Sequence, residues 1–124
     1  MNEFNATGRL TSDVKLKEGK KDNQYVSFTL AIPRDYKNKD GQIEADFIDC
    51  IAFNGLANTI ANYLKKGSHI ALNGYFRSSK YTNENDEVKH KKEIVIRRLN
   101  FLDKKEVASQ IDDFSLPFED ETFI

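Results

Sequence analysis

Four aromatic side chains stand among charged residues in a way that suits the stacking of flat rings. Phe47 and Phe53 lie six residues apart, an even spacing that places both on one face of an extended strand. Tyr36 lies in a segment rich in Lys and Asp, and Tyr81 follows two basic residues. Aromatic faces can stack on planar groups while neighbouring cations pair with phosphates. The alternative is core packing for Phe53 and an incidental surface position for the two tyrosines.

Basic residues flank these aromatic side chains on several predicted strands and loops. Each one alone fits a solvated surface charge, but the set as a whole indicates phosphate contacts. The predicted contacts are Arg9, Lys15, Lys17, Arg34, Lys37, Arg77, Lys80, Lys89 and Lys91. Arg97 and Arg98 lie on opposite faces of one predicted strand, so we expect at least one of them to serve packing or assembly.

The net charge of −1 hides a difference between the two parts of the chain. Residues 1–105 hold all 19 Lys and Arg residues and 14 of the 20 Asp and Glu residues, a net charge of +5. Residues 106–124 hold no basic residue and 6 acidic ones. A basic body with an acidic tail indicates a body that binds a polyanion, whereas ordinary charge scatter is the alternative.

Length and composition predict one globular domain that works inside a cell. The chain has 124 residues and a single cysteine, so it cannot form an internal disulfide. It has neither an apolar run long enough to span a membrane nor a signal peptide at its start. We therefore expect a cytoplasmic protein.

Alternating apolar residues predict five main strands and one helix. Residues 25–33 alternate and end at Pro33, and residues 46–53 place Cys50 and Ala52 opposite Phe47 and Phe53. The predicted strands cover residues 2–10, 25–33, 46–53, 68–80 and 88–102, with a further extended segment at 13–17, a loop at 34–42 and turns at 19–24 and 82–87.

The predicted helix covers residues 54–66. Its apolar stripe comprises Leu56, Ile60 and Tyr63 or Leu64, and two lysines stand in its last turn before Gly67. Three strands, one helix and two strands is the order of the OB-fold, a small all-β barrel that often binds oligonucleotides. A β-sandwich is the alternative, but it usually needs about seven strands.

Two stretches resemble bacterial-type single-stranded DNA-binding proteins. GRLTSDVKLK, residues 8–17, resembles the N-terminal signature of that family, and residues 26–89, from VSFTLAIPRD to NENDEVK, resemble its central block. The resemblance covers about residues 1–103. It implies an OB-fold that wraps single-stranded DNA without sequence preference during replication, recombination and repair. It further implies a homotetramer in the bacterial nucleoid, or in a bacterial host if a phage encodes the chain.

The resemblance also assigns roles to single residues. Phe47, Phe53 and Tyr81 occupy base-stacking positions of the family, and Tyr36 falls near another. The family has tryptophan at some of these places, whereas this chain has none. Stacking on Phe and Tyr is expected to persist.

The C-terminal residues 112–124 resemble the acidic tip through which the family recruits replication and repair proteins. Residues 104–111 form a short linker in this interpretation, and residues 106–124 are expected to be largely disordered. The usual tip ends at its Pro-Phe pair, whereas here a second acidic and apolar run follows, so either end could bind the partner. A tail packed on its own domain is the alternative. The predicted tip residues are Asp112, Asp113, Leu116, Pro117, Phe118, Phe123 and Ile124.

Catalysis finds little support in the sequence. His69 and His90 have no companion ligands at metal-binding spacing, and the glycines are scattered rather than gathered in a phosphate-binding loop. A lone Cys50 within a strand fits a buried small apolar residue. We therefore predict a protein that is not an enzyme and needs no cofactor or metal. An RNA-binding OB-fold protein and a noncatalytic replication adaptor remain as alternatives.

Overall fold

The computed structural model describes residues 1–103, and more than half of this part of the chain is strand. One α-helix interrupts the strands, and a single 3-10 turn covers Lys20–Asp22. The elements are β1 (Phe4–Leu10), β2 (Lys17–Glu18), β3 (Gln24–Lys37), β4 (Ile43–Phe53), α1 (Asn54–Tyr63), β5 (His69–Thr82) and β6 (Val88–Phe101). The predicted linker at residues 104–111 and the predicted tip at 112–124 lie outside the described residues.

Five of the strands close into a barrel. The hydrogen-bonded order is β1-β5-β6-β4-β3, and β1 pairs with β3 through Arg9 and Leu10 to complete the ring. All these pairs are antiparallel except β4 and β6, where Cys50 pairs with Ile94 in parallel. With α1 between β4 and β5, this is the predicted OB-fold.

The barrel interior is filled by inward residues of its five strands, and α1 packs against this core through Ala57 and Ile60. Val26, Leu30, Ile70 and Ile94 are essentially inaccessible to solvent, as is Ile60 of α1. Cys50 is equally buried, which confirms its predicted place as a small core residue. Burial and the neighbouring Asp49 charge raise the pKa of its thiol to about 12. At that pKa the group stays protonated near neutral pH and is a poor nucleophile.

Two glycines let neighbouring strands of the barrel approach closely. A Cβ atom at Gly8 would collide with the carbonyl oxygen of Ala31, and one at Gly74 would collide with that of Val95. The pairing of β5 with β6 shifts in register beside Gly74. A side chain at either position would push two backbones apart.

The third strand is longer than the sequence predicts. Pro33 does not end it; Pro33 pairs with Ala45, and β3 continues to Lys37 after a register shift. The predicted loop at 34–42 is therefore only a turn at 38–42. Proline removes one backbone donor, and a local irregularity accommodates that loss without breaking the hairpin. The extended segment predicted at 13–17 is also mostly unpaired, since only Lys17 and Glu18 form β2.

The helix is shorter than predicted and ends at Tyr63. Leu64 is already extended, with φ −108° and ψ 149°, and it is buried, whereas Tyr63 is exposed. The two lysines at 65 and 66 therefore follow the helix, and the amide of Lys66 donates to the Asp13 carboxylate. Burial of Leu64 and this bond outcompete another helical turn, so Gly67 belongs to the turn before β5.

Candidate nucleic-acid interface

The outward residues of β4 carry the first two predicted stacking rings. Cys50 and Ala52 point into the core, so Phe47, Asp49 and Phe53 point away from it. Phe47 is 64% exposed, and its cross-strand partner Ala31 is too small to cover the ring. This position confirms that Phe47 does not pack in the core.

The neighbouring strands extend the same surface. Ile51 of β4 pairs with Val95 of β6, and Val95 pairs with Tyr75 of β5, so these three residues share the outward side. Side chains keep alternating along the β5–β6 hairpin, so every second residue of each strand lies on this outward side. We call outer face the surface formed by Phe47, Asp49 and Phe53 of β4, Lys89, Lys91 and Glu93 of β6, and Arg77, Ser79 and Tyr81 of β5.

The outer face brings together three of the four predicted stacking rings and three of the predicted cations. Tyr81 is 52% exposed and pairs with Lys89, while Ser79 pairs with Lys91. Lys17 on β2 pairs with Tyr25, which in turn pairs with Phe53. Lys17 therefore lies on the same side of the sheet, one strand beyond β3. Lys80 is the direct neighbour of Tyr81 on β5, so its side chain lies on the other side of the β5–β6 hairpin.

Arg77 lies at the centre of the outer face and is held by protein groups. Its Nη2 donates to the Glu93 carboxylate at 2.6 Å, and its Cζ lies 5.6 Å from the centre of the Phe53 ring. Only 4% of the Glu93 side chain is exposed. Phe53 is half-buried beneath this arrangement, a position intermediate between the predicted stacking site and the core alternative.

Arg34 is likewise engaged by carboxylates, but at the surface. It pairs with Asp46 at 2.8 Å and with Glu44 at 2.9 Å. The hydrogen bond between Arg34 and Asp46 raises the pKa of the guanidinium and lowers the pKa of the Asp46 carboxyl. Much of the positive charge that the sequence suggests for this position is therefore neutralised locally.

The remaining predicted residues are more dispersed. Tyr36, 63% exposed, and Lys37 lie at the end of β3, beyond the register shift. Arg9 donates to the carbonyl of Gly67 and lies 3.8 Å from Asp103. Lys15 is exposed in the connection between β1 and β2. Of the two arginines near the end of β6, Arg97 packs over the Tyr75 ring at 4.7 Å, which confirms a packing role.

Sequence reasoning missed two carboxylates in the middle of the outer face. Asp49 accepts a hydrogen bond from the Thr29 hydroxyl at 2.9 Å, and Glu93 holds Arg77. Glu93 stands next to lysines in the chain, and only the β5–β6 register reveals that it faces Arg77. The alternation along β4 already predicts Asp49 on the same strand face as Phe47 and Phe53, but the predicted site did not include it.

The described residues hold neither a cluster of metal-ligating side chains nor a membrane-spanning helix. Within residues 1–103, no three His, Cys, Asp or Glu side chains lie close enough to hold a metal ion. In the same range, α1 is too short and too polar to cross a bilayer.

Comparison with known proteins adds an independent line of observation. The sequence model of the single-strand binding protein family matches residues 1–102. The chain is 37% identical over 99 residues to single-stranded DNA-binding protein 1 of Streptococcus pyogenes serotype M18, covering 80% of this chain and 76% of the relative. It is 36% identical over 106 residues to single-stranded DNA-binding protein 3 of Listeria innocua, covering 86% and 66%.

A third relative extends the similarity to another genus. Single-stranded DNA-binding protein A of Bacillus subtilis is 33% identical over 105 residues, which cover 85% of this chain and 61% of the relative. The matched region coincides with the barrel described above. On the family match over residues 1–102 and the identity to these relatives, the chain belongs to the single-strand binding protein family.

Proposed function

We propose that the protein binds single-stranded DNA across its outer face, with little sequence preference, and protects it during replication, recombination and repair. The observation that supports this most directly is the joint position of Phe47, Phe53 and Tyr81 with Lys89 and Lys91 on one side of the barrel. Stacking platforms beside cations are the means by which proteins bind single strands of any sequence. In this proposal the protein is a binding module and not an enzyme.

Each group would contribute in a different way. The open rings of Phe47 and Tyr81 accept stacked bases, at about 1–3 kcal/mol per base. Lys89 and Lys91 contact the backbone that joins those bases. Arg77 acts mainly by holding the Phe53 ring in place, since its charge already meets Glu93 at 2.6 Å. The other predicted contacts would guide the DNA strand beyond the outer face. They are Tyr36, Lys37, Arg34 and Lys80 on the hairpins and Arg9, Lys15 and Lys17 near the start of the chain.

The same proposal covers assembly and the C-terminal segment. Residues 1–103 form the DNA-binding domain, four copies assemble into a homotetramer, and the protein works in the bacterial nucleoid or in a bacterial host. Residues 104–111 link the domain to a tip at 112–124 that recruits replication and repair proteins. The support is the charge of residues 106–124, with 6 acids and no base, and the Leu116-Pro117-Phe118 run.

A titration with oligo-dT of graded lengths, combined with mass measurement in solution, tests the proposal. Affinity should rise with length until one assembly is covered, and the mass should correspond to four chains. Matched duplex DNA and oligo-U serve as competitors. Equal affinity for the duplex would overturn single-strand binding, and a clear preference for oligo-U would favour the RNA-binding alternative.

A further inference from the structure

A polar groove opens on the outer face around Asp49. Its volume is about 240 Å³, and its lining includes Ser12, Ser27, Thr29, Asp49, Lys91 and Glu93. This is smaller than the ~300–1,000 Å³ of pockets that enclose a whole drug-sized ligand. A groove of this size suits one edge of a single planar ring.

Hydrogen-bond acceptors with spare capacity dominate the groove. Oε2 of Glu93 accepts from Arg77, whereas within residues 1–103 its Oε1 makes no hydrogen bond, although the side chain is only 4% exposed. Asp49 Oδ1 accepts one bond from Thr29, and Oδ2 accepts none in the same range. Each of these two oxygens can accept a further hydrogen bond, so this groove is suited to a ligand that brings N–H donors.

The two carboxylates also decide which part of a nucleic acid can enter. A phosphate would be repelled by Asp49 and Glu93, so the backbone must stay outside the groove, which Lys91 also lines. Asp49 follows Phe47 by two residues on the same strand face, a separation of about 6–7 Å along the strand. A base stacked on Phe47 can therefore turn its edge toward Asp49.

We propose that this groove is a base-edge subsite that favours guanine, with Asp49 as its specificity-determining residue. The inference rests on the proposed function and refines it: binding remains independent of sequence order but gains a bias in base composition. Guanine presents two adjacent donors, N1–H and the N2 amino group, which one carboxylate can accept together. Its O6 accepts from Lys91 or from a groove hydroxyl. Thymine has a single N–H between two carbonyl oxygens, which the carboxylates repel.

Oligonucleotides of one length test the subsite directly. Every third thymidine of an oligo-dT is replaced by deoxyguanosine, deoxyadenosine or deoxyinosine, a spacing that prevents runs of guanine. Wild-type protein should bind the guanine form about fivefold or more tightly than the adenine form, the lower end of what one bidentate base contact gives. Adenine separates the edge contact from stacking, because stacking alone favours both purines. Inosine lacks the N2 amino group and should lose most of the gain.

The Asp49→Asn variant removes the charge and keeps the side-chain shape. Its guanine-to-adenine affinity ratio should fall close to one, and its affinity for oligo-dT should rise, because the thymine carbonyls are no longer repelled by this carboxylate. Glu18→Gln is the matched control, since it removes one exposed charge on β2, outside the groove, and should leave the ratio unchanged. Binding of the inosine form is measured with wild-type protein, so this part of the test does not depend on how well the variant folds.

The outcomes separate the two proposals. Equal binding of the guanine, adenine and inosine forms by wild-type protein, or an unchanged ratio in Asp49→Asn, would overturn the subsite and leave single-strand binding intact. No binding to any oligonucleotide would overturn the proposed function itself and, with it, the subsite.

Discussion

The two long hairpins of the barrel have turns of the same type, but their strands carry opposite charges at matched positions. In the β3–β4 hairpin, Asn38 Oδ1 accepts from the amides of Asp40 and Gln42; in the β5–β6 hairpin, Asn83 Oδ1 accepts from those of Asn85 and Glu87. Each Asn is followed three residues later by a residue with positive φ, 79° at Gly41 and 62° at Asp86. Asx-type bonding of this kind is local chemistry that any hairpin can adopt.

The strands beside these turns differ at matched positions. A tyrosine precedes each Asn by two residues, Tyr36 and Tyr81. Six and eight residues after the Asn, however, the β3–β4 hairpin has Glu44 and Asp46, whereas the β5–β6 hairpin has Lys89 and Lys91. The acids neutralise Arg34 at 2.8 and 2.9 Å, whereas on the outer face Lys89 has only a looser contact with Glu87, at 3.5 Å, and Lys91 forms no ion pair within residues 1–103. Turn shape is therefore common to both hairpins, and the side chains of the strands decide which hairpin attracts a polyanion.

The largest expected effect concerns the burial of the two arginine pairs. Arg77→Met leaves the Glu93 carboxylate buried without a counterion, so the free energy of unfolding should fall by about 3 kcal/mol. Arg34→Met should change it far less, because its acidic partners are exposed. Urea unfolding of the DNA-free protein measures both.

A double variant provides the control for that experiment. Arg77→Met combined with Glu93→Met removes both charges and should recover much of the stability. If the two single arginine variants were destabilised equally, the contrast between a buried and an exposed pair would be wrong.

Removal of an exposed ring on the outer face should have the next largest effect. Phe47→Ala and Tyr81→Ala should each weaken oligo-dT binding by about 1–3 kcal/mol for every base that no longer stacks. The melting temperature should change little, since both rings are more than half exposed. Tyr63→Ala is the matched control, because this ring is 70% exposed but lies at the end of α1 beside Phe101. A fall in melting temperature with unchanged DNA binding would show that the rings pack within the protein and do not stack on bases.

The charge difference between the hairpins can be tested by salt dependence. Lys89→Gln with Lys91→Gln should reduce the slope of log affinity against log salt by about 0.7 for each phosphate that is no longer neutralised. Glu44→Gln with Asp46→Asn should instead tighten binding at low salt, because it frees Arg34 on the β3–β4 hairpin. An unchanged slope in the lysine variant would show that these ammonium groups do not contact DNA.

The smallest expected effect on DNA binding comes from the C-terminal segment. Deletion of residues 112–124 removes five acids, whose negative charge is expected to compete weakly with DNA for the basic body, so affinity at low salt should stay equal or rise slightly. The same deletion should abolish partner binding. Removal of residues 119–124 alone distinguishes the two ends: survival of partner binding assigns it to Leu116-Pro117-Phe118, and its loss assigns it to Phe123-Ile124. A clear fall in melting temperature on full deletion would make the segment structural.

The alternation and order of the elements were enough to predict the barrel and one face of its site. Period-two patterns in β4 separate Cys50 and Ala52 from Phe47 and Phe53, and this separation is local to one strand. Element ends were less predictable. Pro33 was expected to end β3, and the helix was expected to reach residue 66, because the side-chain and backbone contacts that override these signals come from distant residues such as Asp13.

By itself, the sequence determined the strand and helix types, the core residues and the presence of exposed rings among cations, since each follows from spacing along one element. Only the tertiary structure decided how these groups combine. The β5–β6 register sets Arg77 against Glu93, and the β3–β4 hairpin turns Arg34 toward Asp46. Both arginines would count as free cations in the sequence. Pairing across strands depends on register and barrel closure, which bring together residues far apart in the chain, so the available charge of the site is a property of the fold.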